Sequence, residues 1–235
     1  MTPLRVFAGV LTAATAFVIS RTAGAQTTVS FPVADSVTLT ADVYGKGDRG
    51  VVIVGHGGYS NRGPWKVQAR EIANAGFRTL VFDTRGAVAL LSKGTETECL
   101  YDATCMAADV LAAVRYLRRS GAKTIAVIGG SAGGGGAAQA AVDANDGEID
   151  RLVLLAPMSI ASPERMKGRK LVAVSRDDRG GDGKPRLPGI QDQYRRSPEP
   201  KNFLLLEGAA HGQRIFASPN GVQLMREIIR FLSQK

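Results

Sequence analysis

The chain has 235 residues, 44% hydrophobic and 22% charged, with 30 Lys and Arg against 21 Asp and Glu for a net charge of +9. This composition excludes wholesale disorder, and 28 glycines without a three-residue period exclude a collagen-like chain. Two cysteines are too few for a disulfide-framework scaffold or a four-thiolate zinc site, and two histidines, His56 and His211, confine any imidazole chemistry to one of them.

The N-terminus reads as a targeting segment. Arg5 supplies a basic start, residues 6–20 are apolar and uncharged, and Ala23-Gly24-Ala25 fits a small-x-small cleavage pattern. The apolar run has about fifteen residues, short of the roughly twenty that span a bilayer. Residues 1–25 are therefore expected to be a signal peptide cleaved near Ala25, and 26–235 the exported domain, periplasmic or secreted, with no membrane span.

Along that domain, strands alternate with helices. Two short β-rich runs, 28–33 and 37–44, flank Asp35-Ser36 and predict an antiparallel pair. Residues 51–54 are a β-branched run that fits a strand buried on both faces. Pro64 opens a helix that runs to 75, before Gly76. A strand follows at 78–82, and Phe82-Asp83-Thr84-Arg85-Gly86 reads as a structural turn. Cys99 and Cys105 lie six residues apart, and in an oxidising compartment they are expected to bridge. The bridge requires Cys99 to precede the helix, because residues six apart on one helix face apart.

The helix at 106–119 has apolar residues at helical spacing. Beyond it come a strand at 124–128, a Gly/Ala-rich helix at 133–142, strands at 152–155, 171–174 and 203–206, and a helix at 222–232. Residues 176–200 read as loop with one short helix. The alternation implies an α/β fold with a mostly parallel central sheet of about eight strands and helices on both faces. The basic residues are scattered, aromatics do not interleave with them, and no nucleic-acid motif is present, so the charge reads as a solvated surface.

Three strand ends carry chemistry. Gly129-Gly130-Ser131-Ala132-Gly133 is G-x-S-x-G between a strand and a helix. A nucleophile in that sharp turn needs small neighbours two residues away on each side, and the helix N-terminus supports developing negative charge beside Ser131. A phosphate loop would need Lys-Ser or Lys-Thr after the glycines, where Gly135-Gly136-Ala137 stands. His211, just after the last strand, lies at the same sheet edge and is the candidate base that a hydroxyl nucleophile requires. The orienting carboxylate is expected after the strand at 171–174. Asp178 is favoured there, Asp177 is the alternative, and Asp182 is more distant. Gly58 and Ala132 are candidate oxyanion donors. Tyr59 and Trp65 are candidates for a substrate pocket, with the core as the alternative place for Trp65. Two distant histidines without a His-x-x-x-His pattern offer no metal site.

In order, Val51-Val52-Ile53-Val54-Gly55-His56-Gly57-Gly58, Phe82-Asp83-Thr84-Arg85-Gly86, the serine elbow and Ala210-His211-Gly212 resemble the α/β-hydrolase superfamily. The compact length is similar to its dienelactone-hydrolase-like esterases. The resemblance implies a Ser-His-Asp triad, an oxyanion hole, no cofactor and hydrolysis of an acyl bond. Two features depart from that group. Dienelactone hydrolases typically carry Cys as nucleophile where Ser131 stands, and the interval between the strands at 152–155 and 171–174 leaves no room for a large lid domain. The expected activity is thus a serine carboxylesterase for small-molecule esters. A peptidase, thioesterase or lactonase of the same fold is the alternative, as is a non-catalytic binding module.

Overall fold

A computed structural model describes residues 26–33, 37–55, 61–94 and 97–234. The expected signal peptide, and His56, Gly58 and Tyr59, lie outside the described residues. Eight strands form one sheet among the described residues: β1 Thr27–Pro32, β2 Thr38–Tyr44, β3 Arg49–Val54, β4 Arg78–Phe82, β5 Thr124–Gly130, β6 Arg151–Leu155, β7 Arg169–Ser175 and β8 Lys201–Leu206. The helices are α1 Lys66–Asn74, α2 Arg85–Lys93, α3 Ala103–Arg119, α4 Ser131–Asp143, α5 Leu187–Arg196 and α6 Gly221–Ser233.

The strand order is β1-β2-β4-β3-β5-β6-β7-β8. β2 runs antiparallel to both β1 and β4, and every other neighbouring pair is parallel. The chain leaves β3 toward β4 on one side and returns to β5 on the other. That reversal makes a crevice at the carboxyl ends of β3 and β5, the usual place for a ligand in an open α/β sheet.

Alternation along the central strands builds the core on two faces. Val52 and Val54 of β3 join one buried cluster, with Val110, Val114 and Leu117 of α3 and Ala137, Ala138 and Ala141 of α4. Val51 and Ile53 join the other, with Ala69 and Ile72 of α1 and Leu224 and Ile228 of α6. The hydrophobic strands predicted by period therefore bury both sides, as a parallel sheet covered by helices must.

Several elements differ from the sequence expectation. The turn after β4 opens into α2, capped by Thr84 Oγ1, which accepts from Ala87 N, and ended at Gly94 with φ 64°. Asp83 and Arg85 keep the structural role expected of them: Arg62 pairs with Asp83, and Arg85 Nε lies 2.7 Å from Asp109 Oδ1. α3 starts three residues earlier than the apolar spacing predicts, because Asp102 Oδ1 accepts from Cys105 N at 2.6 Å and caps it there. A 3-10 turn over Gly63–Trp65 carries the chain into α1. Between β6 and β7 only residues 156–168 intervene, with one 3-10 turn at Pro163–Arg165 and no large lid.

Cys99 and Cys105 form a disulfide, with Cα atoms 5.2 Å apart. Cys99 lies in the 3-10 turn Glu98–Leu100 and Cys105 in the first turn of α3, the arrangement that a bridge at this spacing demands. Among the described residues, no helix is long and apolar enough to cross a membrane.

Candidate active site

Ser131 sits where β5 becomes α4, with φ at 53°. A serine in the left-handed region is uncommon and is held there only when its surroundings over-determine the turn. Here the surroundings are backbone. A Cβ on Gly129 would lie 2.3 Å from the Gly133 carbonyl oxygen, and one on Gly133 would lie 3.0 Å from the Gly55 carbonyl oxygen. Gly136, a turn further on, leaves no space either: a Cβ there would meet Met106 Cβ of α3 at 2.5 Å. Four successive glycines weaken a helix by roughly 1 kcal/mol each relative to alanine. Close approach of α4 to β3 and α3 is what they permit in return.

The carboxylate comes from the turn after β7, two strands from β5 in the sheet. β7 ends at Ser175, and the chain turns through Arg176 and Asp177, both exposed, to Asp178, which is 1% exposed. Residues 178–186 then form a small hairpin. Gly180 N donates to Lys184 O, Arg186 N donates to Asp178 O at 2.9 Å, and Arg179 and Pro185 make an antiparallel bridge. The Asp177 side chain is exposed, and its backbone N–H donates to Gly208 O.

The imidazole follows β8. His211 precedes a 3-10 turn over Gly212–Ala217. Its segment is stitched to the end of β7: Ser175 Oγ donates to Ala210 O at 2.7 Å, and Arg176 N donates to Leu206 O at 2.8 Å. An exposed ion pair between Arg176 and Glu207 lies beside them. Gly212, at φ 54°, packs beside the elbow, where a Cβ would lie 3.5 Å from Ser131 N.

These three turns bring the residues together. His211 Nδ1 is 2.7 Å from Asp178 Oδ2, and His211 Nε2 is 2.8 Å from Ser131 Oγ. An ionised carboxylate only accepts, so Nδ1–H donates to Asp178 and Nε2 is left to accept the serine proton. Ser131 is 9% exposed, so its hydroxyl sits in a largely dry environment. Such a chain can move a proton from hydroxyl to imidazole as the oxygen attacks a carbonyl carbon. Ala132 is the second residue of α4, so its N–H is among those at a helix start that have no intrahelical acceptor. The N-terminal end of the helix favours negative charge at the same point.

Trp65 takes the core alternative. It is fully buried, edge-on to Phe216 with ring centroids 6.0 Å apart, and forms no open pocket wall. Sequence reasoning did not single out Ser175 or Arg186, whose roles depend on contacts across 35 and 8 residues that no local pattern encodes. Among the described residues, no group of three or more His, Cys, Asp or Glu is placed to hold a metal ion.

A family model described as the alpha/beta hydrolase fold matches residues 50–212, from the second residue of β3 to the residue after His211. The chain belongs to the α/β-hydrolase fold family. No curated protein matches its sequence. Among solved structures, this α/β-hydrolase resembles a dienelactone hydrolase from Anabaena variabilis, with a TM-score of 0.70 at 20% identity over 88% of this chain and 95% of that one. An esterase of Pyrococcus furiosus aligns with a TM-score of 0.68 at 20% identity, covering 89% of this chain and 92% of its own. A dienelactone hydrolase-like promiscuous phosphotriesterase from metagenomic libraries aligns with a TM-score of 0.63 at 19% identity, covering 89% and 98%. At these identities the likeness is one of fold.

Proposed function

We propose that this α/β-hydrolase is an exported serine esterase that cleaves small carboxylic esters through an acyl-enzyme. The observation that carries the reading is the continuous chain Asp178 Oδ2–His211–Ser131 Oγ, at 2.7 and 2.8 Å, on a serine held at positive φ. Ser131 Oγ attacks the ester carbonyl carbon, and its proton passes to His211 Nε2. The Ala132 N–H, with that of Gly58, holds the oxyanion of the tetrahedral intermediate. His211 returns the proton to the departing alkoxide, and the acyl group stays on Ser131. Water then enters with His211 as base and releases the acid. Asp178 keeps the imidazole in the required tautomer and stabilises the imidazolium.

The small-ester preference rests on the short interval at 156–168, which leaves the rim without a large cap. A hydroxyl nucleophile in place of the thiol typical of dienelactone hydrolases favours simple esters over lactones. The dienelactone hydrolase and esterase folds among the structural neighbours agree with acyl-bond hydrolysis. Export is supported by the basic and apolar features of residues 1–25 and by the Cys99–Cys105 disulfide.

The test is turnover of p-nitrophenyl acetate by the wild type and by Ser131→Ala. Loss of the nucleophile is expected to lower kcat by about 10⁴-fold or more. Equal turnover by the two proteins would rule the mechanism out.

A further inference from the structure

Only one oxygen of the Asp178 carboxylate is used by His211. The other, Oδ1, is buried and has no hydrogen-bond partner among the described residues. Among the described residues, the guanidinium within ion-pair reach is that of Arg186, whose Nε stands 3.8 Å from Oδ1 and is likewise buried and without a hydrogen-bond partner. A buried acceptor and a buried donor thus face each other just beyond hydrogen-bond length. The hairpin at 178–186 sets this up, because Arg186 N donates to Asp178 O and locks the two residues side by side. The guanidinium side chain is 34% exposed, so it reaches the carboxylate from the solvent side.

We infer that Arg186 is the positioning residue of this site. Its guanidinium closes on Oδ1, keeps the Asp178 carboxylate aimed at His211, and sets a positive charge beside the pair. The inference rests on the esterase reading, since it assigns Asp178 the orienting role. The other charges on the elements that carry the pair are already engaged or exposed. Arg176 pairs with Glu207, Lys184 with Asp182, Asp177 faces solvent, and Arg214 lies one 3-10 turn beyond His211. The elbow contributes no charged side chain from residue 125 to residue 142. Among the described residues, Arg186 is therefore the cation whose removal changes the field at the carboxylate most.

The sign of the effect follows. The base must be neutral to accept the serine proton. Without the nearby positive charge the imidazolium forms more readily, so activity is lost at a higher pH. For Arg186→Met, the acidic limb of the kcat/KM profile on p-nitrophenyl acetate is expected to move up by about half to one pH unit. The plateau should fall about tenfold, through kcat rather than KM. Arg186→Lys keeps the charge and should leave the limb in place. Arg179→Met removes an exposed arginine of the same hairpin and should leave both limb and plateau unchanged.

An Arg186→Met profile that superimposes on the wild type would overturn the inference. If that variant does not fold, Arg186→Gln decides, since it keeps donors but loses the charge: a raised limb supports the role and an unmoved one refutes it. Absence of Ser131-dependent turnover in the wild type would overturn the esterase reading together with this one. Wild-type turnover with an unmoved limb in the Arg186 variants overturns this one alone.

Discussion

The turn after β5 and the turn after β7 hold two members of one hydrogen-bonded chain by opposite means. The first is steric. Ser131 is held at φ 53° because Gly129 and Gly133 let backbone meet backbone, and no charged group takes part. The second is polar. Asp178 is held by a hairpin of backbone hydrogen bonds, a hydrogen bond to His211 and the guanidinium of Arg186 nearby. The proposed nucleophile needs a fixed position, which close packing supplies. The carboxylate needs a fixed charge and direction, which only polar neighbours supply.

The contrast can be broken most decisively at the hairpin. Asp178→Asn should lower kcat on p-nitrophenyl acetate by about 10³- to 10⁴-fold, because the amide no longer enforces the productive tautomer. Asp177→Asn, one residue away but with an exposed side chain, should change it by less than about threefold. The reverse pattern would move the orienting role to Asp177. At the elbow the failure should appear in stability. Gly129→Ala places a Cβ against the Gly133 carbonyl, and the unfolding free energy from urea titration should drop by about 3 kcal/mol. A drop below about 1 kcal/mol would mean that the turn is not packed as tightly as described.

A fourth variant sharpens the comparison at the other end of β7. Lys170 is fully buried, and its ammonium donates to Gly168 O. Burial, with Lys201 adding to it against the pull of Glu199, pushes this lysine down to about 8. Its value in the folded chain therefore lies below that of the unfolded chain. Between about pH 8 and about 10.5 the unfolded state binds the extra proton, so the contribution of Lys170 to stability rises with pH over that window. Lys170→Met should raise Tm by a few degrees at pH 7, and the gap should close toward pH 10. A Tm difference independent of pH would show that the buried charge is not the cause. Unlike Asp178, this buried ion has no charged partner within ion-pair reach among the described residues, so it costs stability and orients nothing.

Steric and polar positioning also differ in how much of them the linear sequence carries. The elbow was legible because a turn held by close packing writes itself as glycines at fixed offsets from Ser131. The strands and most helices were legible because buried faces repeat with a short period. His211 was legible because only two histidines exist. The acid was narrowed to neighbouring aspartates, but what separates Asp178 from Asp177 is a hairpin that turns one inward. That hairpin closes through Arg186 N and Asp178 O, a contact across eight residues without a sequence signature. Ser175 was invisible for the same reason, as its hydroxyl finds Ala210 only after β7 and β8 pair. α2 went unread although its signals were present, a capping Thr84 and a closing Gly94, because a glycine in its first turn disguised it. Trp65 was open to two readings because an aromatic near a rim and an aromatic under it look alike until burial is known.

The most direct measurement is covalent. Incubating the folded wild type with a fluorophosphonate at neutral pH, followed by intact-mass and peptide mass spectrometry, should find one adduct per chain on Ser131. Ser131→Ala should carry none, and His211→Ala should label at least about 10³-fold more slowly. A folded wild type that stays unlabelled, or an adduct on a different serine, would contradict an activated hydroxyl at the head of the Asp178–His211–Ser131 chain.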